Sequence, residues 1–275
     1  MKNTRGLVIG LLAIVGTAIF FLVPFAFIFV IASKPLAEAN LLEFSWPEQF
    51  VLLDNLVQAF QARDYLLVIA FINSFILTVA SVAGLVIFGA MVAYVWQRRP
   101  GRLGPVVSIL VLAGLIVPPA VVPTIWVMQK IGLFKTMPGL ILIEIAFGLP
   151  FCILLFRAFI ATIPRDLDEA AIIDGAGPVR VFFKVIFPLL RSVIVTVIVV
   201  QSVVIFNDFT NPLYYLPGNA NATVQLTLYN FQSQFTTQYN LLFANILLVV
   251  IPALIMFIFF NRKIVEGMAA GSVKG

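Results

Sequence analysis

Residues 6–33 read GLVIGLLAIVGTAIFFLVPFAFIFVIAS, a run of 28 residues without a charged side chain. About 20 consecutive apolar residues in a helix already span the hydrocarbon core of a bilayer. The run is also longer than the apolar core of about 7–15 residues in a secretory signal, so we expect a retained membrane anchor. The whole chain is 62% hydrophobic and 11% charged, whereas soluble domains are about 45–50% apolar and about 25% charged. An integral membrane protein is therefore predicted.

Further apolar stretches follow the first one along the chain. Helices are favoured over barrel strands, because these stretches are continuously apolar and a helix satisfies all of its own backbone hydrogen bonds in lipid. We therefore predict an all-α polytopic protein in which residues 1–275 form a single transmembrane domain. The six predicted spans lie near residues 7–33, 66–96, 104–128, 138–160, 192–216 and 241–260.

The basic residues divide unequally between the two sides of this arrangement. If the N-terminus is inside, four lie outside, namely Lys34, Arg63, Lys130 and Lys135. The other thirteen lie inside, and they are Lys2, Arg5, Arg98, Arg99, Arg102, Arg157, Arg165, Arg180, Lys184, Arg191, Arg262, Lys263 and Lys274. Because cytoplasmic loops carry the excess of Lys and Arg, both termini are predicted to lie in the cytoplasm.

The chain lacks the residues that most enzyme and metal sites use. It contains no histidine and a single cysteine, Cys152, which excludes disulfide frameworks, Cys/His zinc sites and His-based catalytic triads. No GxxxxGK[ST] phosphate loop occurs either, so ATP is not expected to bind here. We predict a non-catalytic protein that binds no cofactor and no metal.

The predicted inner loop, residues 161–191, contains residues that typically start and stop helices. Residues 169–192 read EAAIIDGAGPVRVFFKVIFPLLRS. Acidic residues precede and open this segment, as the dipole of a helix N-terminus favours, and Gly175 offers a helix stop. Gly177 and Pro178 then favour the start of a second helix. The loop is therefore predicted to form a helical hairpin.

Each predicted helix of the hairpin has two different faces. On the first, Glu169, Ile172 and Ile173 share a face, and they form an apolar knob beside a carboxylate that suits a groove on a soluble partner. The second is predicted to be amphipathic and to lie at the membrane interface. Its basic residues are Arg180, Lys184 and Arg191, and its apolar face holds Phe182, Phe183 and Ile186.

The order Glu169-Ala170-Ala171, then Gly175, then Pro188 resembles the cytoplasmic loop of permeases in binding-protein-dependent ABC importers. Asp174-Gly175-Ala176 is similar to the MalG-like, carbohydrate-uptake branch. Other segments are similar to it as well, with Phe206 and Phe187 standing where the family more often has tryptophan and leucine. They are Asn73-Ser74, Leu149-Pro150-Phe151, Phe206-Asn207-Asp208-Phe209, Asn211-Pro212-Leu213 and GMAAGSVKG at residues 267–275.

The resemblance implies a type I ABC importer permease fold in a bacterial cytoplasmic membrane. The implied partners are a second, MalF-like permease, two nucleotide-binding subunits that use ATP and Mg, and an extracytoplasmic solute-binding protein, with a sugar or oligosaccharide as substrate and no nucleic acid. The residues implied to couple this chain to a nucleotide-binding subunit are Glu169, Ala170, Ala171, Ile172, Ile173, Asp174 and Gly175.

Polar residues inside the predicted spans are candidates for a translocation path. Glu144 and Asp208 are the only acidic residues there, and each costs about 2.5–3.5 kcal/mol at a helix centre, so we expect both to face a water-filled vestibule. The alternative for the amides is hydrogen bonding between helices, worth about 0.6 kcal/mol each. The full candidate set is Asn73, Glu144, Gln201, Asn207, Asp208 and Asn211.

Two alternative functions stay open at this point. An ABC permease for glycerol phosphate or another polyol fits the same loop, although a phosphate substrate would require basic side chains in the spans. An ion-coupled secondary carrier is an alternative of a different class, in which Glu144 and Asp208 would be the coupling carboxylates. Six spans without a visible internal repeat argue against such a carrier.

The charge distribution generates a prediction of topology. Reporter fusions after Arg99 and Lys263 are expected to report the cytoplasm, and fusions at Glu43 and Asn230 the outside, because the basic residues concentrate on one side. Alkaline phosphatase and green fluorescent protein fusions measure the two outcomes. An outside signal at Lys263 contradicts the six-span arrangement.

Overall fold

The computed structural model describes residues 4–99, 101, 104–232, 237–251 and 254. These residues form helices and no strand, which confirms the all-α prediction. The helices are α1 (Thr4–Ala32), α2 (Leu36–Ala39), α3 (Leu52–Arg98), α4 (Gly104–Ile116), α5 (Val121–Lys130), α6 (Met137–Ile160), α7 (Asp166–Ile173), α8 (Pro178–Val181), α9 (Phe187–Leu189), α10 (Arg191–Phe206), α11 (Thr210–Tyr215) and α12 (Tyr239–Ile251).

The described residues form two compact units. One contains the residues up to Val68 and those from Leu226 onward, and the other contains residues 69–225. The second unit holds the greater part of α3, all of α4 to α11, and every residue of the predicted hairpin and polar path. The single transmembrane domain stays a prediction.

Three described helices are long and apolar enough to cross a membrane, namely Gly10–Ala32, Leu52–Arg98 and Met137–Ile160. Two bent helix pairs raise this number to five if each pair is one span. The pairs are Gly104–Ile116 with Val121–Lys130, and Pro178–Leu189 with Arg191–Phe206. Residues 241–251 of the sixth predicted span, 241–260, lie in α12. Of the rest of this span, the structure describes Leu254 alone.

The third predicted span, 104–128, differs from a continuous helix. Its halves α4 and α5 meet at an angle of 117°. Pro118 and Pro119 lie in the break, and a proline removes a backbone donor and disfavours helical geometry in the residue before it. Pro123 stands within α5, in the first turn, where proline is tolerated.

The fifth predicted span, 192–216, also differs from a single helix. Helix α10 ends at Phe206, and a new helix begins at Thr210. The Asp208 carboxylate accepts hydrogen bonds from the backbone N–H groups of Thr210 at 2.8 Å and Asn211 at 3.3 Å. These bonds satisfy two donors that the first turn of α11 leaves unpaired, so the sequence stops one helix and starts another.

Helix α6 is the centre of the second unit, where it packs against α4, α10 and α11. Glycines bring it close to α3. A Cβ atom on Gly89 of α3 would lie 3.1 Å from the Cβ of Cys152, and one on Gly148 of α6 would lie 2.9 Å from both Cδ atoms of Leu85. Small residues allow such close approach between helices in membranes. Leu85, Cys152 and Phe156 are fully buried there.

Helix α1 exposes most of its apolar surface. Within an 18-residue apolar window of the Gly10–Ala32 span, only 11% of the residues are buried. Exposed apolar patches of this extent mark a surface in contact with lipid or with another protein, which agrees with the anchor predicted for this segment. The large apolar residues that are more than half exposed on it are Leu11, Leu12, Ile14, Ile19, Phe20, Phe21 and Leu22.

The glycine contacts generate a prediction about stability. Gly89→Leu is expected to lower the free energy of unfolding by about 1–3 kcal/mol, because the added side chain overpacks the contact between α3 and α6. Gly16→Leu is the matched control, since nothing lies within 4 Å of a Cβ at that position in α1. Thermal unfolding midpoints in detergent measure both variants. Equal midpoints for the two would contradict the packing.

Candidate functional site

The predicted hairpin is present in the structure. Helix α7 ends at Ile173, and Gly175 follows with a φ of +79°. The N–H of Gly175 donates to the carbonyl of Ile172 at 3.0 Å, and the N–H of Ala176 donates to that of Ala171 at 2.9 Å. These two bonds form a Schellman motif, for which glycine is favoured at the left-handed position. The helix stop predicted at Gly175 and the helix start at Pro178 are confirmed.

One side of α7 is free. Glu169 is exposed, and Ile172 and Ile173 expose 55% and 84% of their surface. Ala170, Asp174 and Gly175 are exposed as well, whereas Ala171 is half-buried against the apolar core. The knob predicted from spacing therefore exists as a surface feature. Its role in coupling stays a prediction.

The other side of α7 is anchored by Asp168, which is 8% exposed. Its Oδ2 lies 2.9 Å from a terminal nitrogen of Arg98, and its Oδ1 accepts a hydrogen bond from the Tyr94 hydroxyl at 2.6 Å. The helix dipole accounts for acidic residues in this segment and the charge distribution accounts for Arg98, so this contact was missed from the sequence. A signal was available, because Tyr94 and Arg98 share one face at the end of an apolar helix.

The second half of the hairpin departs from the predicted continuous helix. Helix α8 is followed by a π-helical turn at Phe182–Ile186 before α9 begins. A π-helical turn adds a residue and shifts the register of the faces. Phe182 and Ile186 are buried as predicted, but Phe183 is 42% exposed and stands with the exposed basic residues. An open depression of about 540 Å³ lies on this surface of the hairpin. It is lined by Gly177, Pro178, Val179, Arg180, Phe183 and Lys184.

Three residues of the predicted path come together. Glu144 is 5% exposed, and its Oε1 accepts a hydrogen bond from the Asn211 side chain at 3.3 Å. Asp208 is half-buried, and its carboxylate accepts a hydrogen bond from the N–H of the same Asn211 at 3.3 Å. The break between α10 and α11 thus places Asp208 and Asn211 over the first turns of α6. This Glu144–Asp208–Asn211 group is called the polar cluster below.

Two further path residues bind the segment that follows α11. The Asn207 side-chain oxygen accepts a hydrogen bond from Gln225 at 3.1 Å, and the Asn73 side chain donates to the carbonyl of Ala222 at 3.1 Å. Next to Asn73, the Ser74 hydroxyl accepts from the N–H of Val224 at 2.9 Å. Their contacts hold backbone and side chains of residues 220–225, so these amides bind a connecting segment and not a neighbouring α-helix.

Gln201 is separate from the other path residues. It is 6% exposed, and its side-chain oxygen lies over Gly148 on α6. This position favours a role for Gln201 in packing between helices over a role in lining the translocation path. Among the described residues, no three His, Cys, Asp or Glu side chains converge on a point that would hold a metal ion.

Comparisons with known proteins place the chain among membrane transport components. The profile of the family described as binding-protein-dependent transport system inner membrane component matches residues 85–268. The chain is 32% identical to the melibiose/raffinose/stachyose import permease protein MelC of Bacillus subtilis (strain 168), over 75% of this chain and 76% of that protein. It is 33% identical to the trehalose transport system permease protein SugB of Mycobacterium tuberculosis (strain CDC 1551 / Oshkosh), over 92% of this chain and 93% of that protein.

Solved structures with a similar fold include the crystal structure of a bacterial ABC transporter involved in the import of the acidic polysaccharide alginate. The TM-score is 0.77 at 19% identity, and the match covers 95% of this chain and 98% of that chain. The importer fold predicted from the sequence is therefore confirmed.

The hairpin turn generates a prediction that compares two glycines. Nothing lies within 4 Å of a Cβ at Gly175 or Gly177, but their φ angles are +79° and −69°. Gly175→Ala is expected to accelerate amide exchange in residues 166–176 by about tenfold, because a left-handed L-residue costs roughly 1–2 kcal/mol. Gly177→Ala is expected to change it little. Equal acceleration by both variants, measured by hydrogen exchange in detergent, would contradict the conformational argument.

Proposed function

The chain belongs to the family of binding-protein-dependent transport system inner membrane components, and from this premise we propose that it forms half of the translocation pathway of an ATP-driven sugar importer. The observation that carries the proposal is the exposed face of α7. Two isoleucines and a glutamate stand free on a hairpin whose opposite side is fixed to the helix bundle. Apolar side chains exposed beside a carboxylate suit a contact with another protein.

The knob is suited to insert into a groove of a nucleotide-binding subunit. Burial of Ile172 and Ile173 would supply apolar contact area, and Glu169 would pair with a basic residue of the groove. Because the Schellman motif and Asp168 fix α7 at both ends of its length, movement of the groove would displace the hairpin as a rigid body. ATP and Mg would be bound by the partner, since this chain lacks a phosphate loop.

A sugar or oligosaccharide is the proposed substrate class. The relatives MelC and SugB are named for the import of melibiose, raffinose, stachyose and trehalose. The polar cluster offers amide and carboxyl groups, which hydrogen-bond to hydroxyl groups. A glycerol phosphate would meet the acidic residues Glu144 and Asp208 there, which disfavours an anion.

The remaining parts of the assembly are proposed from the resemblance of the hairpin to that of ABC importer permeases. A second permease of MalF-like type would complete the pathway, two nucleotide-binding subunits would dock on the hairpins, and an extracytoplasmic binding protein would deliver the sugar. The chain would itself be non-catalytic. With the hairpin on the cytoplasmic side, both termini would lie in the cytoplasm, as the distribution of basic residues predicts.

The proposal is tested by uptake into proteoliposomes that contain the chain with its partner subunits and binding protein. The solutes are radiolabelled melibiose, raffinose, trehalose and glycerol 3-phosphate. Uptake of a sugar is expected to require internal ATP and to persist when ionophores collapse the proton and sodium gradients. Gradient-driven uptake without ATP would favour the secondary carrier, and uptake of glycerol phosphate alone would overturn the substrate class.

The role of the hairpin in this function is tested by Glu169→Lys and Gly175→Trp. Loss of one member of a charged pair costs about 2–5 kcal/mol, which is tens to thousands of fold in affinity, so Glu169→Lys is expected to abolish co-purification of the nucleotide-binding subunit. The tryptophan would strain the turn and obstruct docking. Glu48→Lys, an equal charge reversal at an exposed site outside the hairpin, is the control. Normal association and uptake in both hairpin variants would show that the hairpin is only a surface loop.

A further inference from the structure

The last turn of α3 contacts the hairpin through two side chains, Tyr94 and Arg98. Asp168, which both of them bind, is the only buried residue of α7. Tyr94, Arg98 and Asp168 are called the clasp below. No part of the coupling motif from Glu169 to Gly175 takes part in the clasp, so the clasp and the exposed knob are separate features of one short helix.

Arg98 holds the beginning of the hairpin as well as α7. Its guanidinium pairs with the Asp168 carboxylate at 2.9 Å and donates to the carbonyl of Ile163 at 3.0 Å. The two side chains of the ion pair are only 10% and 11% exposed. A buried charge without its partner is strongly destabilising, so α7 and α3 are expected to move together as long as the pair is intact.

Tyr94 extends the same contact to the second half of the hairpin. Its hydroxyl donates to Asp168 at 2.6 Å, and its ring lies 5.4 Å, centre to centre, from the ring of Phe182. Phe182 is the first residue of the π-helical turn and is 4% exposed. One tyrosine of α3 therefore touches α7 through its oxygen and the π-helical turn through its ring.

The same turn of α3 is fixed on its other side to α6. The Arg157 guanidinium lies 3.6 Å from the centre of the Trp96 ring, and its Nε donates to the Gln97 side chain at 3.1 Å. The end of α3 is thus wedged between α6 and the hairpin. A displacement of α7 has a direct route into α3, since each contact on that route is a charge-assisted hydrogen bond or a packed ring.

Non-helical residues 62–65 interrupt α3, and two turns into the continuous part that follows them the helix contacts residues 220–225. Asn73 and Ser74 bind the backbone at Ala222 and Val224, as described above. Asn73 and Arg98 are 25 residues apart in one helix, a distance of about 37 Å at 1.5 Å per residue. Polar contacts thus hold this helical part of α3 at Asn73 and Ser74 and again at Arg98, and a rigid helix can carry coupling between two such points.

We infer that α3 is the rod that carries movement of the hairpin across the membrane to residues 220–225, and that the clasp joins the rod to the hairpin. The inference rests on the proposed function, because it takes docking of the nucleotide-binding subunit as the source of movement. The inference assigns a positioning role to the three residues of the clasp, which act through α7 and not on the substrate. The residues that receive the movement are those that Asn73 and Ser74 hold.

Hydrogen exchange on the assembled transporter in lipid nanodiscs tests the inference. Peptides that cover residues 163–173 and 220–225 are compared without nucleotide and with ATP plus vanadate. In the wild-type complex both peptides are expected to change their exchange. In Asp168→Asn and in Tyr94→Phe the change at 163–173 is expected to persist, whereas the change at 220–225 falls at least about threefold, since each variant removes a charge-assisted bond.

Two controls separate the clasp from a general loss of stability. Asp166→Asn removes the same charge from an exposed position of α7 and is expected to behave as the wild type. The exchanged pair Arg98→Asp with Asp168→Arg is expected to restore the response at 220–225. A full response at 220–225 in both Asp168→Asn and Tyr94→Phe would overturn the inference. A wild-type hairpin that does not respond to nucleotide would instead overturn the proposed function, and the inference with it.

Discussion

Hydrocarbon offers no hydrogen-bond partners, so every backbone group of a spanning segment must be satisfied within its own helix and each charge there is costly. This constraint explains why the described residues form long apolar helices and why most charged side chains stand at helix ends. It also explains where specific polar contacts accumulate. At the end of α3 and the end of α6, Arg98 and Arg157 reach partners that the bilayer interior lacks. The hairpin begins a few residues after α6 ends, beside those contacts.

Helix α7 serves two purposes because consecutive residues point in different directions. Asp168 turns inward to Arg98 and Tyr94, while Glu169, one residue later, is exposed. A helix of eight residues is not stable alone, so the inward contacts set its position. The outward residues are then free to bind a partner without any loss of order in the hairpin.

Sequence alone predicted the features that depend on local chemistry. Uncharged length located the spans, and Gly175 located the stop of α7. The missed features depend on tertiary approach. Asp168 stands among three acidic residues in the first turn of α7, each equally explained by the helix dipole, and only the approach of α3 distinguishes it. The π-helical turn at Phe182 likewise arises from packing that no spacing rule reveals.

The central claim is that the free face of α7 docks on a nucleotide-binding subunit, and site-specific photo-crosslinking measures it most directly. A photoreactive residue in place of Ile173, which is 84% exposed, would be activated in the assembled transporter in its native membrane. The account predicts a crosslink to the nucleotide-binding subunit, and a lower yield when Glu169→Lys is added. Crosslinks from this position to lipid alone, in a transporter that takes up its substrate normally, would contradict the account.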